Sequence, residues 1–130
     1  MSDAPLARPA HLALGARAEA LAVDALVRRG YRLIETNWRC SAGELDAVMM
    51  DEQELVFVEV KARTGSARGA AEEALTMAKA RKLAAAAEWY LAEHPEIGDP
   101  IWRIDLVAIT VDRSGAAVRF THIANAAQFG

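Results

Sequence analysis

A chain of 130 residues, 53% apolar and 25% charged, has the make-up of one globular domain with a single hydrophobic core, which sets aside disordered and fibrous classes. No run approaches the roughly 20 apolar residues of a membrane helix, so the chain is expected to work off the membrane. The net charge of −3 argues against coating nucleic acid through bulk electrostatics, and any such contact needs a local basic patch.

The first residues, "MSDAPLARPAH", mix acidic and Pro residues where a secretory leader needs a basic and then a longer apolar stretch. Residues 1–11 are read as a tail and 12–130 as the folded domain. "LALGARAEALAVDALVRRG" is an Ala- and Leu-rich helix ended by Gly30. At 100° per residue, Arg17, Asp24 and Arg28 form its wet stripe, while Leu12, Gly15, Val23 and Leu26 lie opposite. Glu19 falls in the middle of that apolar side, a charge out of place.

"YRLIETNWR" reads as a first strand, and residues 43–62 as a hairpin. The lone Cys40, at a strand end, cannot form an internal disulfide and suits a reducing cytoplasm. "RTGSARGA" is a loop, and the Ala-rich stretch that follows, through His94, is a long helix closed by Pro95. "DPIWRIDLVAITV" and "AVRFTHI" are two more strands either side of a Ser114-Gly115 turn. The order α-β-β-β-α-β-β implies an α/β fold, with a mixed central sheet of about five strands flanked by helices. The helical crossover lets the strand after it run parallel to an earlier one.

The hairpin carries the chemistry. A turn of two or four residues at "DEQE" sets Met50 against Leu55, Val48 against Phe57 and Asp46 against Glu59. Leu45, Ala47, Met49, Val56, Val58 and Val60 then share one apolar face. Glu44, Asp46, Glu59 and Lys61 share the other, and a slip by one residue would mix the two. Cross-strand neighbours are about 5 Å apart at Cβ, so Asp46 and Glu59 repel unless a proton or a cation lies between them. Hard divalent ions such as magnesium favour such oxygen donors. Lys61, two residues on, would set an ammonium beside the ion. The plain alternative is a solvated sheet face with weak ion pairs, Glu44 with Lys61 among them.

"GARAEALA", "RRGYRLIETNWRCSAGELDAV", "LVFVEVKART" and "RIDLVAI" together resemble the PD-(D/E)xK nuclease superfamily, the restriction-endonuclease-like fold, and within it the uncharacterised bacterial YraN-type family. The resemblance runs from about Leu14 to Ile123. It implies that Asp46, Glu59 and the Val60 carbonyl hold Mg2+ or Mn2+, that Lys61 positions or activates the attacking water, and that Glu19 joins from the first helix as a catalytic and metal-binding residue. Ala18 stands where the family motif often has Gly. The implied activity is metal-dependent endonucleolytic cleavage of DNA, with branched or otherwise structured DNA as the expected substrate. The alternative is a non-catalytic nucleic-acid- or protein-binding module that retains the nuclease fold.

Arg63 and Arg68 in the loop after Lys61, and Lys79 and Lys82 one turn apart on the second helix, are the candidate phosphate contacts. Gly43 is read as easing entry into the Asp46 strand. Asp105 is read first as a structural acid paired with Arg103. A homodimer would suit a cutter of two strands.

Overall fold

The structure, a computed structural model, describes residues 10–64 and 75–127. Helix α1 (Ala10–Arg28) is followed by strands β1 (Arg32–Cys40), β2 (Gly43–Asp51) and β3 (Glu54–Thr64). Helix α2 (Met77–Glu93), a 3-10 turn at Pro95–Ile97, and strands β4 (Trp102–Val111) and β5 (Ala117–Ile123) complete it. The expected α/β order is the observed one. Five strands form one sheet in the order β1-β2-β3-β4-β5, antiparallel throughout except for the parallel pair β3–β4 that the α2 crossover allows.

The hairpin takes the expected register, with Val48 opposite Phe57 and Met50 opposite Leu55. Asp51 and Glu54 close a two-residue turn in which Glu52 occupies the left-handed region at φ 57, without the Gly or Asn that such turns favour. Gly30, at φ 104, ends α1 as its sequence position implied.

Each sheet face has its own core. On one, Ala18, Ala22 and Leu26 of α1 pack on Ala47, Met49, Val56, Val58, Val107 and Ile109. On the other, Leu83, Ala86, Ala87 and Tyr90 of α2 pack on Val48, Leu55, Phe57 and Ile104. Tyr90 and Trp102 both meet Phe57 edge-on, and Trp38 meets Tyr90 the same way.

Three expectations are corrected. Leu45 packs with Val48 on the α2 side, not with Ala47 and Met49. Strict alternation is interrupted between Leu45 and Ala47, where the facing strand has Asn37 at φ 54, three residues after its register shifts between Leu33 and Glu35. The buried stripe of α1 runs through Ala18, Ala22 and Leu26, which leaves Glu19 half-buried at its edge rather than at its centre. Within the described residues, α2 begins at Met77, because the Thr76 hydroxyl accepts the Lys79 amide at 3.1 Å and caps the helix there. Thr76→Ala is expected to cost about 1 kcal/mol in denaturant unfolding. The expected helical start before Leu75 lies outside the described residues, as do residues 1–9 of the expected tail.

Candidate functional site

The β2–β3 ladder ends at Ala47–Val58. One step further on, the side chain of Asp46 does what a strand carbonyl would have done, and its Oδ2 accepts the Val60 amide at 2.8 Å. This fixes a carboxylate that is only 9% exposed beside Glu59, which is 6% exposed. Glu59 Oε2 in turn meets Lys79 Nζ of α2 at 2.7 Å, a contact that depends on the first turn of α2 being held by its cap. The Lys61 side chain adjoins that of Lys79. Val60, expected to offer its carbonyl to an ion, enters the site through its amide.

Glu19 reaches the same place from α1, with the side chain of Asn37 beside it. Asn tolerates left-handed backbone better than most residues, which suits the φ of 54 that it adopts. Carboxylate oxygens of Glu19, Glu44 and Asp46 lie within 4.8 Å of one another. Oxygens bound to one hard divalent cation at about 2.1–2.5 Å have spacings of that order, and the donors are of the kind that magnesium and manganese prefer. The residues present therefore fit a divalent cation. Glu59 adjoins the group through Asp46, and its own carboxylate is engaged by Lys79.

The electrostatics follow from this crowding. Burial, with the Glu59 charge adding to it, pushes the Asp46 carboxyl up to about 8, against the opposing Val60 hydrogen bond. Burial also raises Glu19, opposed by Asn37 and reinforced by Glu44 and Glu59. The neighbouring Lys79, then burial, lowers Lys61, while the bond to Glu59 raises Lys79. A cleft of about 490 Å³ opens over these groups, with Glu44, Asp46 and Glu59 on one wall and Thr76, Lys79 and Lys82 of the α2 start on the other.

Sequence reasoning placed Asp46, Glu59, Lys61 and Glu19 together, and the structure brings them together. It did not place Glu44 there. Glu44 pairs with Arg39 at 2.7 Å rather than with Lys61, and its carboxylate joins the acidic group. Its position two residues before Asp46, on the same expected face, was the available signal. Lys79, expected as a phosphate contact, bonds Glu59 directly. Lys82 lines the cleft and is exposed. Arg63 is half-buried near the end of β3, within the strand rather than in the loop after it, and Arg68 lies outside the described residues. Gly43 lines the cleft and pairs with Cys40 across a two-residue turn.

Asp105 belongs to a different cluster. Fully buried, it accepts from Arg103 Nε at 2.9 Å, Tyr31 Oη at 3.2 Å and the Asn125 amide at 2.9 Å, and it bonds His122 Nε2 at 2.8 Å. Arg103 also bonds Asp51 and Glu54, so one guanidinium ties both ends of the hairpin turn to β4. Burial acts to raise the Asp105 carboxyl, but His122, Arg103 and the Asn125 amide outweigh it and hold it below the usual range. The Arg103 pairing expected from sequence is present.

Fold and cleft together define an α/β domain with a cluster of buried and half-buried carboxylates, at the meeting of its mixed sheet and α1, facing a cationic helix start. The chain belongs to the family described as "Uncharacterised protein family UPF0102", whose model matches residues 18–109 and so spans every cleft residue named above. It is 44% identical to a UPF0102 protein of Roseiflexus castenholzii over 110 residues, 85% of this chain and 89% of that one. A UPF0102 protein of Renibacterium salmoninarum is also 44% identical over 110 residues, 85% and 92% of the two chains. One of Mycobacterium tuberculosis is 42% identical over 114 residues, 85% and 88%. No helix among the described residues is long and apolar enough to cross a membrane.

Proposed function

We propose that the chain is a metal-dependent endonuclease that hydrolyses phosphodiester bonds in DNA, with branched or otherwise structured DNA as its substrate. The observation that carries the reading is the two-walled cleft: grouped carboxylates on the sheet side and lysines at the start of α2 on the other. Phosphodiester hydrolysis needs both, a place for a divalent cation and positive charge for the phosphate. Asp46, Glu44 and Glu19 would hold Mg2+ or Mn2+, with Glu59 beside them. The ion would supply a Lewis acid for the phosphoryl oxygen and for water. Lys61, the less basic of the two lysines there, orients the attacking water as an ammonium or, as the neutral amine, takes its proton. Lys79 and Lys82, with the capped start of α2, face the phosphate.

One observation favours the second reading, a binding module without catalysis. Lys79 already neutralises Glu59 at 2.7 Å with no ion needed. Incubation with flap, fork, four-way and linear DNA in Mg2+ or Mn2+ separates the two. Cleavage that stops in Glu59→Gln and Lys61→Met supports the nuclease, whereas DNA binding without cleavage of any substrate supports the module. Lys82→Met, at an exposed position lining the cleft, is expected to lower the salt dependence of DNA affinity by about one charge in anisotropy titrations, since one phosphate contact is lost.

A further inference from the structure

A second cleft, of about 480 Å³, lies between α1 and β1. Ala20, Val23 and Val27 make its α1 wall, and Thr36 and Asn37 its strand wall. Glu19 lines it too, and the Glu19 carboxylate is within 4.8 Å of those of Glu44 and Asp46, which line the first cleft. The acidic cluster is thus the shared wall between two clefts. Their chemistries differ. The first has Lys79 and Lys82, but among the described residues that line the second none is Lys or Arg. Its one further charge, Asp24, is paired with Arg28 at 2.8 Å.

A strand of DNA that crosses the acidic cluster has to put something on each side. A cleft without cations is a poor place for phosphate, and its volume is that of a small-molecule pocket. Small aliphatic side chains on one wall, with a hydroxyl and an amide on the other, suit a flat apolar ring whose edge carries hydrogen-bonding groups. The ring cannot enter while it is paired and stacked in a duplex. We infer that the α1–β1 cleft receives the base of one unpaired nucleotide next to the scissile phosphate, so that the substrate is DNA with a single-stranded nucleotide at the cut. This rests on the proposed function and narrows its substrate class.

The test uses the full chain and fluorescein-labelled DNA, by anisotropy in Ca2+, with manganese affinity read by calorimetry. The probes are a fully paired duplex, the same duplex with a five-nucleotide flap, and that flap with its nucleotide at the junction made abasic. The wild-type chain is expected to favour the flap over the duplex by about tenfold, and the abasic probe to lose most of that preference. Ala20→Trp fills the cleft from an exposed helix position and Thr36→Phe from the strand. Each is expected to bind the intact flap as wild type binds the abasic one, with manganese affinity unchanged. Circular dichroism checks both folds, and the two walls are tested independently if one variant fails to fold. Variants that keep the full flap preference, or a wild type indifferent to the abasic change, overturn the inference and leave the nuclease standing. A wild-type dimer that either variant makes monomeric overturns it as well, because the cleft is then an interface between copies. If the wild type binds neither manganese nor any DNA, the proposed function itself fails and takes the inference with it.

Discussion

Asp46→Asn is expected to abolish manganese binding and to lower DNA cleavage by about a thousandfold, yet to make the metal-free chain more stable at pH 8. The first two effects come from removing the carboxylate that both closes the acidic group and adjoins Glu59. The third follows from linkage. The ordinary value for Asp46 is 3.8, and burial beside Glu59 lifts it to about 8 in the folded chain. Between those values the folded state holds a proton that the unfolded state has released. The stability Asp46 contributes is therefore fully present below about pH 4 and is lost as pH rises towards 8. An amide carries no charge to bury and its oxygen still accepts the Val60 amide. In EDTA, thermal unfolding of Asp46→Asn should match wild type at or just below pH 4 and exceed it at pH 8, by an amount on the order of a few kcal/mol. Equal stability of the two at pH 8 would show that the carboxylate is not crowded in the way described.

Asp105→Ala is expected to be the most damaging single change to stability, and to leave the chemistry of the cleft alone. Removal of the carboxylate takes from Arg103, 13% exposed at its side chain, the one fully buried member of its three carboxylate partners, and leaves His122 Nε2 and the Asn125 amide without theirs. Breaking a buried pair by deleting one partner costs about 3–5 kcal/mol, which corresponds to a fall in Tm of roughly 10–20 °C for a domain of this size. The pH dependence has the opposite sense to that of Asp46. Asp105 is held below its ordinary 3.8, so its contribution is present above about pH 4 and is lost as pH falls below it. Asp105 contacts Tyr31, which packs in the α1-side core, whereas the lysine wall of the first cleft belongs to α2. At a temperature where the variant is folded, manganese binding by calorimetry should equal that of wild type. A loss there would join the two clusters functionally.

How much of this could be read from the sequence depends on how local each cause is. The hairpin register was legible, because Val48, Phe57, Met50 and Leu55 fix their partners through alternation alone. Asp46, Glu59 and Lys61 came with it, being within three residues of the Ala47–Val58 pair. Leu45 was not legible, because the side it faces depends on the irregular backbone of the neighbouring strand, at Asn37 and between Leu33 and Glu35. The start of α2 was hidden by its own alanines. Helix propensity is high on both sides of Thr76, and only the capping hydrogen bond sets the boundary. The Lys79–Glu59 pair needed the geometry of the crossover, which no spacing encodes. The same holds for the Asp105 cluster, where Tyr31 and His122 come from opposite ends of the chain and only Arg103, two residues away, was within reach of a pattern.

The account depends on the acidic group between the two clefts being a seat for a divalent cation. Anomalous diffraction from a crystal soaked in manganese tests this most directly. The expected result is one strong peak within about 2.5 Å of a carboxylate oxygen of Asp46 and of at least one of Glu19, Glu44 and Glu59. A crystal saturated with manganese that shows no peak there, with Lys79 still bonded to Glu59, would contradict it.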